Sequence, residues 1–250
     1  PFCVIGPEVV LGETSRLASH VVIMGATTIG PEANIHSHAV LGGDPQNTGH
    51  KGGHTTLTVG RNCLIREGVT MNRGTDMSIG NTKVGDNCIF LAYSHVAHDC
   101  QLGDYVTMAN TAGLAGHCTV GDRAILGGGS AVHQFSRIGN NAFVGGLAAV
   151  AHDVIPYGTV IGNHAYLAGI NIIGMKRAGI SRPEIHAMRH AVKMLFDPEH
   201  TMKENISLME ASFDGSEVVR KLLDFVSVEG KRAYCTPRRG AGIADDAADD

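Results

Sequence analysis

Tryptophan is absent from the 250 residues, and aromatic residues of all kinds make up only 5%. A core built on large rings is thereby excluded, and the 33 glycines point instead to a chain of many tight turns. The six cysteines (Cys3, Cys63, Cys88, Cys100, Cys118 and Cys235) form no CxxC pair, which argues against a zinc cluster. A disulfide framework is equally unexpected in a chain of this length with no export signal. No run of 18 or more apolar residues exists, so no membrane-spanning helix is predicted. Basic residues are not in excess: 20 Lys and Arg stand against 24 Asp and Glu, a net charge of −4. That balance gives no electrostatic ground for a nucleic-acid partner. No signal peptide opens the sequence, which starts at Pro1 in mid-pattern and so predicts a preceding N-terminal part.

What is present is a period of six. From Val84 an apolar residue recurs at Phe90, Val96, Leu102, Met108, Leu114, Val120, Leu126, Val132, Ile138, Val144 and Val150. An earlier block runs Ile5, Leu11, Leu17, Ile23, Ile29, Ile35 and Leu41, and a middle one Val59, Ile65 and Met71. Such a period marks a hexapeptide solenoid. Three hexads make one triangular coil of 18 residues, and Gly85, Gly103, Gly121 and Gly139 repeat at that spacing. The reading is a parallel β-helix whose coils pair backbones about 4.8 Å apart. A small residue follows four places after the apolar one, as in Cys88, Ser94, Cys100, Ala112 and Cys118. Both positions point inward and stack, and five of the six cysteines fall on the small one, as core thiols. Residues 43–57 and 74–82 break the pattern. Insertions in a solenoid become loops on one face, often the binding face.

The repeat stops after Pro156. Ser181 and Glu184 form a capping box with Pro183 in the first turn, predicting a helix over 182–196. Thr201 and Glu204 form a second box, and the apolar spacing of 216–228 predicts a third helix. The expected layout is a β-helix over 1–160, a link over 161–180, a helical domain over 181–230 and a disordered tail over 231–250, ending ADDAADD.

A β-helix is a scaffold, so chemistry must be argued from side chains. His95 and His98 in SHVAHDC, His117 in LAGHCTV and His133 in AVHQF fall on successive coils. Spacings of 19 and 16 residues, close to one coil, bring His98, His117 and His133 to one edge of the prism. Three chemistries fit. A neutral imidazole can act as general base toward a hydroxyl or amine. Clustered imidazoles can hold zinc, as in the hexapeptide-repeat carbonic anhydrases. A purely structural solenoid is the third.

The strings IREGVTMNRGT, SHVAHDC, LAGHCTV, AVHQF, GNHA and NIIGMKRAG occur in this order. Together they resemble the signature of the acyl-carrier-protein–UDP-N-acetylglucosamine acyltransferases, and the resemblance runs from Pro1 to about Val228. It implies a left-handed parallel β-helix with a C-terminal helical domain, a cytoplasmic homotrimer with sites between subunits, and no metal or other cofactor. The implied reaction moves a 3-hydroxyacyl group from acyl carrier protein to a UDP-sugar, at the first step of lipid A synthesis. By motif, His98 is the implied general base and Asp99 its helper, a pairing that requires a coil corner, since strand neighbours point to opposite faces. The Gly116 N–H is the implied oxyanion donor. His95, His117, His133 and Gln134 are implied to line the sugar and donor site, Asn171 and Arg177 to hold the donor or the nucleotide phosphates, and Gly146 to limit the acyl groove.

The chain departs from the family pattern in places. Asn47 stands where Asp is usual, Gly49 where Lys is expected, Asn72 where His is common and Ile173 where Glu is common. Asn47 removes a carboxylate that would hold a 3-amino group protonated, which suggests the 3-amino sugar as an alternative acceptor. Lys176, Arg177, Arg182, Arg189 and Lys193 make a basic cluster suited to an acidic carrier protein.

Overall fold

The computed structural model describes residues 1–213 and 215–238. The sixfold pattern closes into a left-handed parallel β-helix whose short strands stack into three sheets. Sheet I has eight strands, from Val4–Ile5 to Ala149–Val150. Sheet II has seven, from Val10–Leu11 to Arg137–Ile138. Sheet III has nine, from Arg16–Leu17 to a closing pair, Gly158–Ile161 and Tyr166–Ile170. Register follows the 18-residue coil, with His95 beside Gly113, Gly113 beside Ala131 and Ala131 beside Ala149.

The sixth residues form the core. Phe90, Met108, Leu114 and Leu126 lie at or below 1% exposure, and each such burial is worth about 1.5–3 kcal/mol. Ile5 and Leu11, assigned inward by the same count, are 41% and 38% exposed on the first coil of the described residues, which is packed from one side by the coil that follows. Cys63, Cys88, Cys100 and Cys118 are buried free thiols, Cys3 is half-buried, and Cys235 is buried beneath the C-terminal segment.

Each coil turns its corners through a residue in the left-handed region. Phe2, His20, His38, Tyr93, Thr111 and Leu147 do so on the edge between sheets III and I. Asp99, His117 and Phe135 do so on the edge between sheets I and II. On the remaining edge the next coil comes close: Asp104 Oδ1 accepts the Asp86 N–H at 2.7 Å and Asp122 Oδ1 the Asp104 N–H at 2.9 Å. A Cβ on Gly85 or Gly103 would collide with those carboxylates, which accounts for the glycine spacing.

The segment 161–180, read as a link, contains structure of its own. Tyr166–Ile170 pairs antiparallel with Gly158–Ile161, and α1 spans Ile172–Arg177. Further on, α2 spans Arg182–Leu195, α3 Met202–Ser212 and α4 Glu217–Ser227. Ser181 caps α2, and the Thr201–Glu204 box caps α3. Ile185, Met188, Val192 and Leu195 of α2 are buried with Val218, Val219 and Leu222 of α4.

The tail expected over 231–250 differs through Arg238. Ala233 O accepts the Asp153 N–H at 2.7 Å, Cys235 donates to Asp153 O at 2.8 Å, and Thr236 O accepts the Leu167 N–H at 3.0 Å. The acidic composition that suggested disorder belongs to residues 239–250, which lie outside the described residues. The stretch before them is held by Arg137. Its guanidinium meets Asp153 Oδ2 at 2.6 Å and donates to Phe225 O at 3.2 Å, Val228 O at 3.0 Å and Tyr234 Oη at 3.3 Å.

Candidate active site

Both interruptions of the repeat leave sheet I and return in sheet II, so both loops emerge at the same edge on neighbouring coils. His98 and Asp99 occupy that edge two coils' depth from the first loop and directly beside the second. Asp99 has φ of 59°, a conformation that Asp tolerates better than most side chains. The left-handed turn is what lets adjacent side chains meet. His98 Nδ1 lies 2.9 Å from Asp99 Oδ2, with the His98 side chain 9% exposed and that of Asp99 fully buried.

The loops hold this pair in place. Thr75 of the second loop donates its N–H to Asp99 Oδ1 at 3.1 Å and its hydroxyl to Oδ2 at 2.7 Å. Thr82 Oγ1 accepts the Asp99 N–H at 2.8 Å. A carboxylate that only accepts requires the proton on His98 Nδ1, which leaves Nε2 with its lone pair. Asn47 of the first loop sets its Nδ2 3.5 Å from that Nε2, while its Oδ1 accepts the Gly49 N–H at 2.9 Å. Asn72 is buried on the neighbouring strand and donates to Asp44 O at 2.8 Å, but its Oδ1 has no partner among the described residues.

Gly116 fits under the His98 ring. A Cβ there would stand 2.7 Å from His98 Nε2 and closer still to Cε1. The Gly116 N–H meets no acceptor among the described residues. His117 packs edge-on to His98, ring centroids 4.9 Å apart, and stacks on Phe135 at 4.5 Å. Burial lowers His117 below the ordinary histidine range, and the charges of His98 and Lys231 add to this against the pull of Asp99. His95, on the outer face of sheet I, holds Thr70 Oγ1 at 2.7 Å through Nδ1. It too is lowered, by burial and then by His98. His133 and Gln134 are exposed one coil further along.

The other predicted site residues lie elsewhere on the prism. Gly146 is on the edge between sheets III and I, where an added Cβ would touch only Gly128 O, at 3.4 Å. Arg177 lines a groove of about 530 Å³ between α1 and the outer face of sheet III, with Tyr105, Ile125 and Phe143. Asn171 lines it as well, with its amide committed: Oδ1 caps α1 through the Gly174 N–H at 2.9 Å, and Nδ2 donates to Asn141 O at 2.9 Å. One chain therefore gathers seven of the predicted residues on one edge (Asn47, His98, Asp99, Gly116, His117, His133 and Gln134), sets His95 on the adjoining outer face of sheet I, and leaves three apart.

Sequence reasoning missed Thr75, Thr82, Phe135, Lys231 and Arg232. Phe135 was within reach, being one coil of 18 after His117. Lys231 and Arg232 carry no periodic signal. His98, Asp99 and His117 also place one ligand atom each within 4.8 Å of one another, a geometry open to a metal ion. The class of chemistry is decided by relatives.

Residues 153–235 match a family profile described as UDP N-acetylglucosamine O-acyltransferase, domain 2, and residues 81–116 one described as bacterial transferase hexapeptide (six repeats). The chain is 58% identical to the acyl-[acyl-carrier-protein]–UDP-N-acetylglucosamine O-acyltransferase of Bartonella quintana, over 95% of this chain and 87% of that protein. To the protein of the same name from Brucella ovis it is 53% identical, over 95% and 85%. The solved structure of LpxA from Acinetobacter baumannii superposes with a TM-score of 0.91 at 36% identity, covering 95% of this chain and 92% of that one. The UDP-N-acetylglucosamine acyltransferase of Francisella novicida gives 0.91 at 35%, covering 98% and 92%. With this identity along nearly its whole length, the chain belongs to the family of acyl-[acyl-carrier-protein]–UDP-N-acetylglucosamine O-acyltransferases.

Proposed function

We propose that this protein transfers a 3-hydroxyacyl chain from acyl carrier protein to the 3-position of UDP-N-acetylglucosamine, the first step of lipid A biosynthesis. The observation that carries the mechanism is the His98–Asp99 pair, with its carboxylate fully buried, its Nδ1 occupied and its Nε2 free to accept a proton. Nε2 takes the proton of the sugar hydroxyl as that oxygen attacks the thioester carbonyl. Asp99 stabilises the imidazolium that results. The negative charge on the carbonyl oxygen meets the Gly116 N–H, a donor of a kind typically worth about 10²–10³ in rate. Collapse breaks the C–S bond, forms the ester, and returns the proton from His98 to the departing thiolate.

The active molecule is a homotrimer in this reading. His98 and its neighbours occupy one edge, while Gly146, Asn171 and Arg177 lie on other sides of the prism. A closed ring brings the edge of one subunit to the face of the next and completes the site. Lys176, Arg177 and Lys193 are exposed on α1 and α2 and offer a basic landing surface for the acidic carrier protein. A cytoplasmic location belongs to the same reading.

The test is an acylation assay with 3-hydroxyacyl carrier proteins and UDP-N-acetylglucosamine, with sedimentation to count subunits. His98→Ala should lower kcat by about 10²–10⁴ with the fold intact. Activity within a few-fold of the unaltered enzyme removes His98 from the mechanism, and a fully active monomer removes the shared site.

A second acceptor is favoured by one contact. Asn47 puts a neutral amide 3.5 Å from the base, where the family pattern has a carboxylate. Without that negative charge, a 3-amino group on the sugar is more readily unprotonated and nucleophilic. The reading is N-acylation of the 3-amino analogue by the same site.

A further inference from the structure

The chain after α4 does not leave the molecule. Arg137 and Asp153 clamp it, and the isolated bridge between Asp153 and Tyr234 sets its register against the last coil. The consequence is local and chemical. Residues 231 and 232, far from the repeat in sequence, arrive at the edge that carries His98, His117 and His133. Lys231 Nζ stands 4.3 Å over the ring of Phe135, which stacks on His117. Arg232 is half-buried, places Nη2 2.7 Å from His133 Nδ1 and donates its Nε–H to Gln134 O at 3.1 Å.

Two hydrogen bonds compete for His133 Nδ1. Its own neighbour Gln134 O lies 3.2 Å away and would accept a hydrogen bond from an Nδ1–H. Arg232 lies closer and has donors only, so toward Arg232 the same nitrogen must accept. The two arrangements need opposite tautomers. Arg232 decides between them twice over, because its Nη2 supplies the shorter bond to Nδ1 while its Nε–H already occupies Gln134 O. With Nδ1 held as acceptor, the ring proton is on Nε2. The exposed His133 ring lines a cavity of about 380 Å³ on the outer face of sheet I, beside Ala149, His152 and His164. Its free edge therefore presents an N–H, not a lone pair.

We propose that Arg232 is a positioning residue for acyl transfer, fixing His133 as an Nε2–H hydrogen-bond donor toward a substrate oxygen. The assignment of that oxygen to the UDP-sugar or the acyl donor rests on the proposed function; the tautomer itself does not. His98 and His133 are thus set to opposite tautomers on one edge. At His98 a carboxylate holds Nδ1–H and frees a lone pair for base chemistry. At His133 a guanidinium fills the Nδ1 lone pair and frees a proton for binding. Removing Arg232 lets Nδ1–H turn to Gln134 O and reverses the second of these.

The experiment joins neutron diffraction of the deuterium-exchanged full-length protein with kinetics of Arg232→Met, His133→Ala and the double variant. The expected density shows deuterium on His133 Nε2 and none on Nδ1, moving to Nδ1 in Arg232→Met. Arg232→Met should lower kcat/KM about tenfold, as loss of one hydrogen bond to a charged group would, and should have no further effect once His133 is Ala. Arg232→Gln keeps a side-chain N–H without the charge and should recover part of the loss, which separates donation from folding. Deuterium on Nδ1 in the unaltered protein overturns the proposal, as does Arg232→Met losing equal activity with and without His133. If no variant, including the unaltered enzyme, acylates a UDP-sugar, the proposed function fails while the diffraction result still decides the tautomer.

Discussion

Gly116→Ala tests the His98 edge without removing any of its functional groups. The added methyl would approach the His98 ring to 2.7 Å at Nε2 and nearer at Cε1, against an ordinary contact of about 3.5 Å or more. The ring must therefore move by about 1 Å. It has little room to do so, since His117 lies 4.9 Å away and Asp99 grips Nδ1 at 2.9 Å. A displacement of that size in a reacting group costs about 10² in rate. The φ of Gly116 is not among the positive ones, so the backbone accepts Ala, and crowding costs about 1–3 kcal/mol of stability. Ala also keeps the N–H, so the loss cannot be charged to a missing oxyanion donor. The assay is kcat and KM for acyl transfer alongside a thermal melt and a crystal structure of the variant. A fall in kcat of about 10² with KM little changed and His98 displaced is the expected result. Activity within threefold, or an unmoved His98 with the methyl accommodated, refutes the idea that Gly116 is glycine to leave room for the His98 ring.

Three further outcomes are expected. Asn47→Asp should shift the kcat/KM ratio toward the 3-hydroxyl sugar by about tenfold, some 1.4 kcal/mol, since it restores a charge that keeps an amine protonated; an unchanged ratio removes Asn47 from acceptor choice. Gly146→Met should favour shorter acyl chains, at about 0.8 kcal/mol per excluded methylene, without loss of stability, because space at Gly146 is open except toward Gly128 O; an unaltered chain-length profile places the limit elsewhere. Stability should fall as pH drops from about 6.5, the ordinary histidine value, because burial holds His95 and His117 below it and the unfolded chain takes up protons first. Melting temperatures between pH 8 and pH 5 should decline less steeply in His117→Gln, and an identical slope contradicts the assignment.

The solenoid was legible because its period is enforced by stacking. Val84 to Val150 all face inward since a one-residue slip would turn every core side chain outward. The helices were legible through their caps at Ser181 and Thr201. The edge was legible in part: spacing brought His98, His117 and His133 together, but alternation alone set Asp99 against His98, and only the left-handed corner reconciles them. Gly146, Asn171 and Arg177 could not be placed relative to His98 by counting within one chain, because they lie on other sides of the prism. The pair Tyr166–Ile170 and Gly158–Ile161 and the short α1 escaped detection, being held by contacts with the last coil and not by a periodic pattern. Arg232 was invisible because its position depends on a clamp between residues as far apart as Arg137 and Val228.

That clamp also sets an order in time. A solenoid can grow coil upon coil while its chain is still being made, since each repeat contacts only its neighbours. His98, Asp99, Thr75 and Gly116 can thus find one another early, and Arg137 and Asp153 can pair as the last coil closes. Phe225, Val228 and Tyr234 reach Arg137 only after α4 has been synthesised, and Lys231 and Arg232 come to the edge with them. A chain that still lacks residues 225–234 can carry the stacked coils with His98 and Asp99 in place while His133 turns its N–H toward Gln134, so completion of the edge waits on the segment that follows α4.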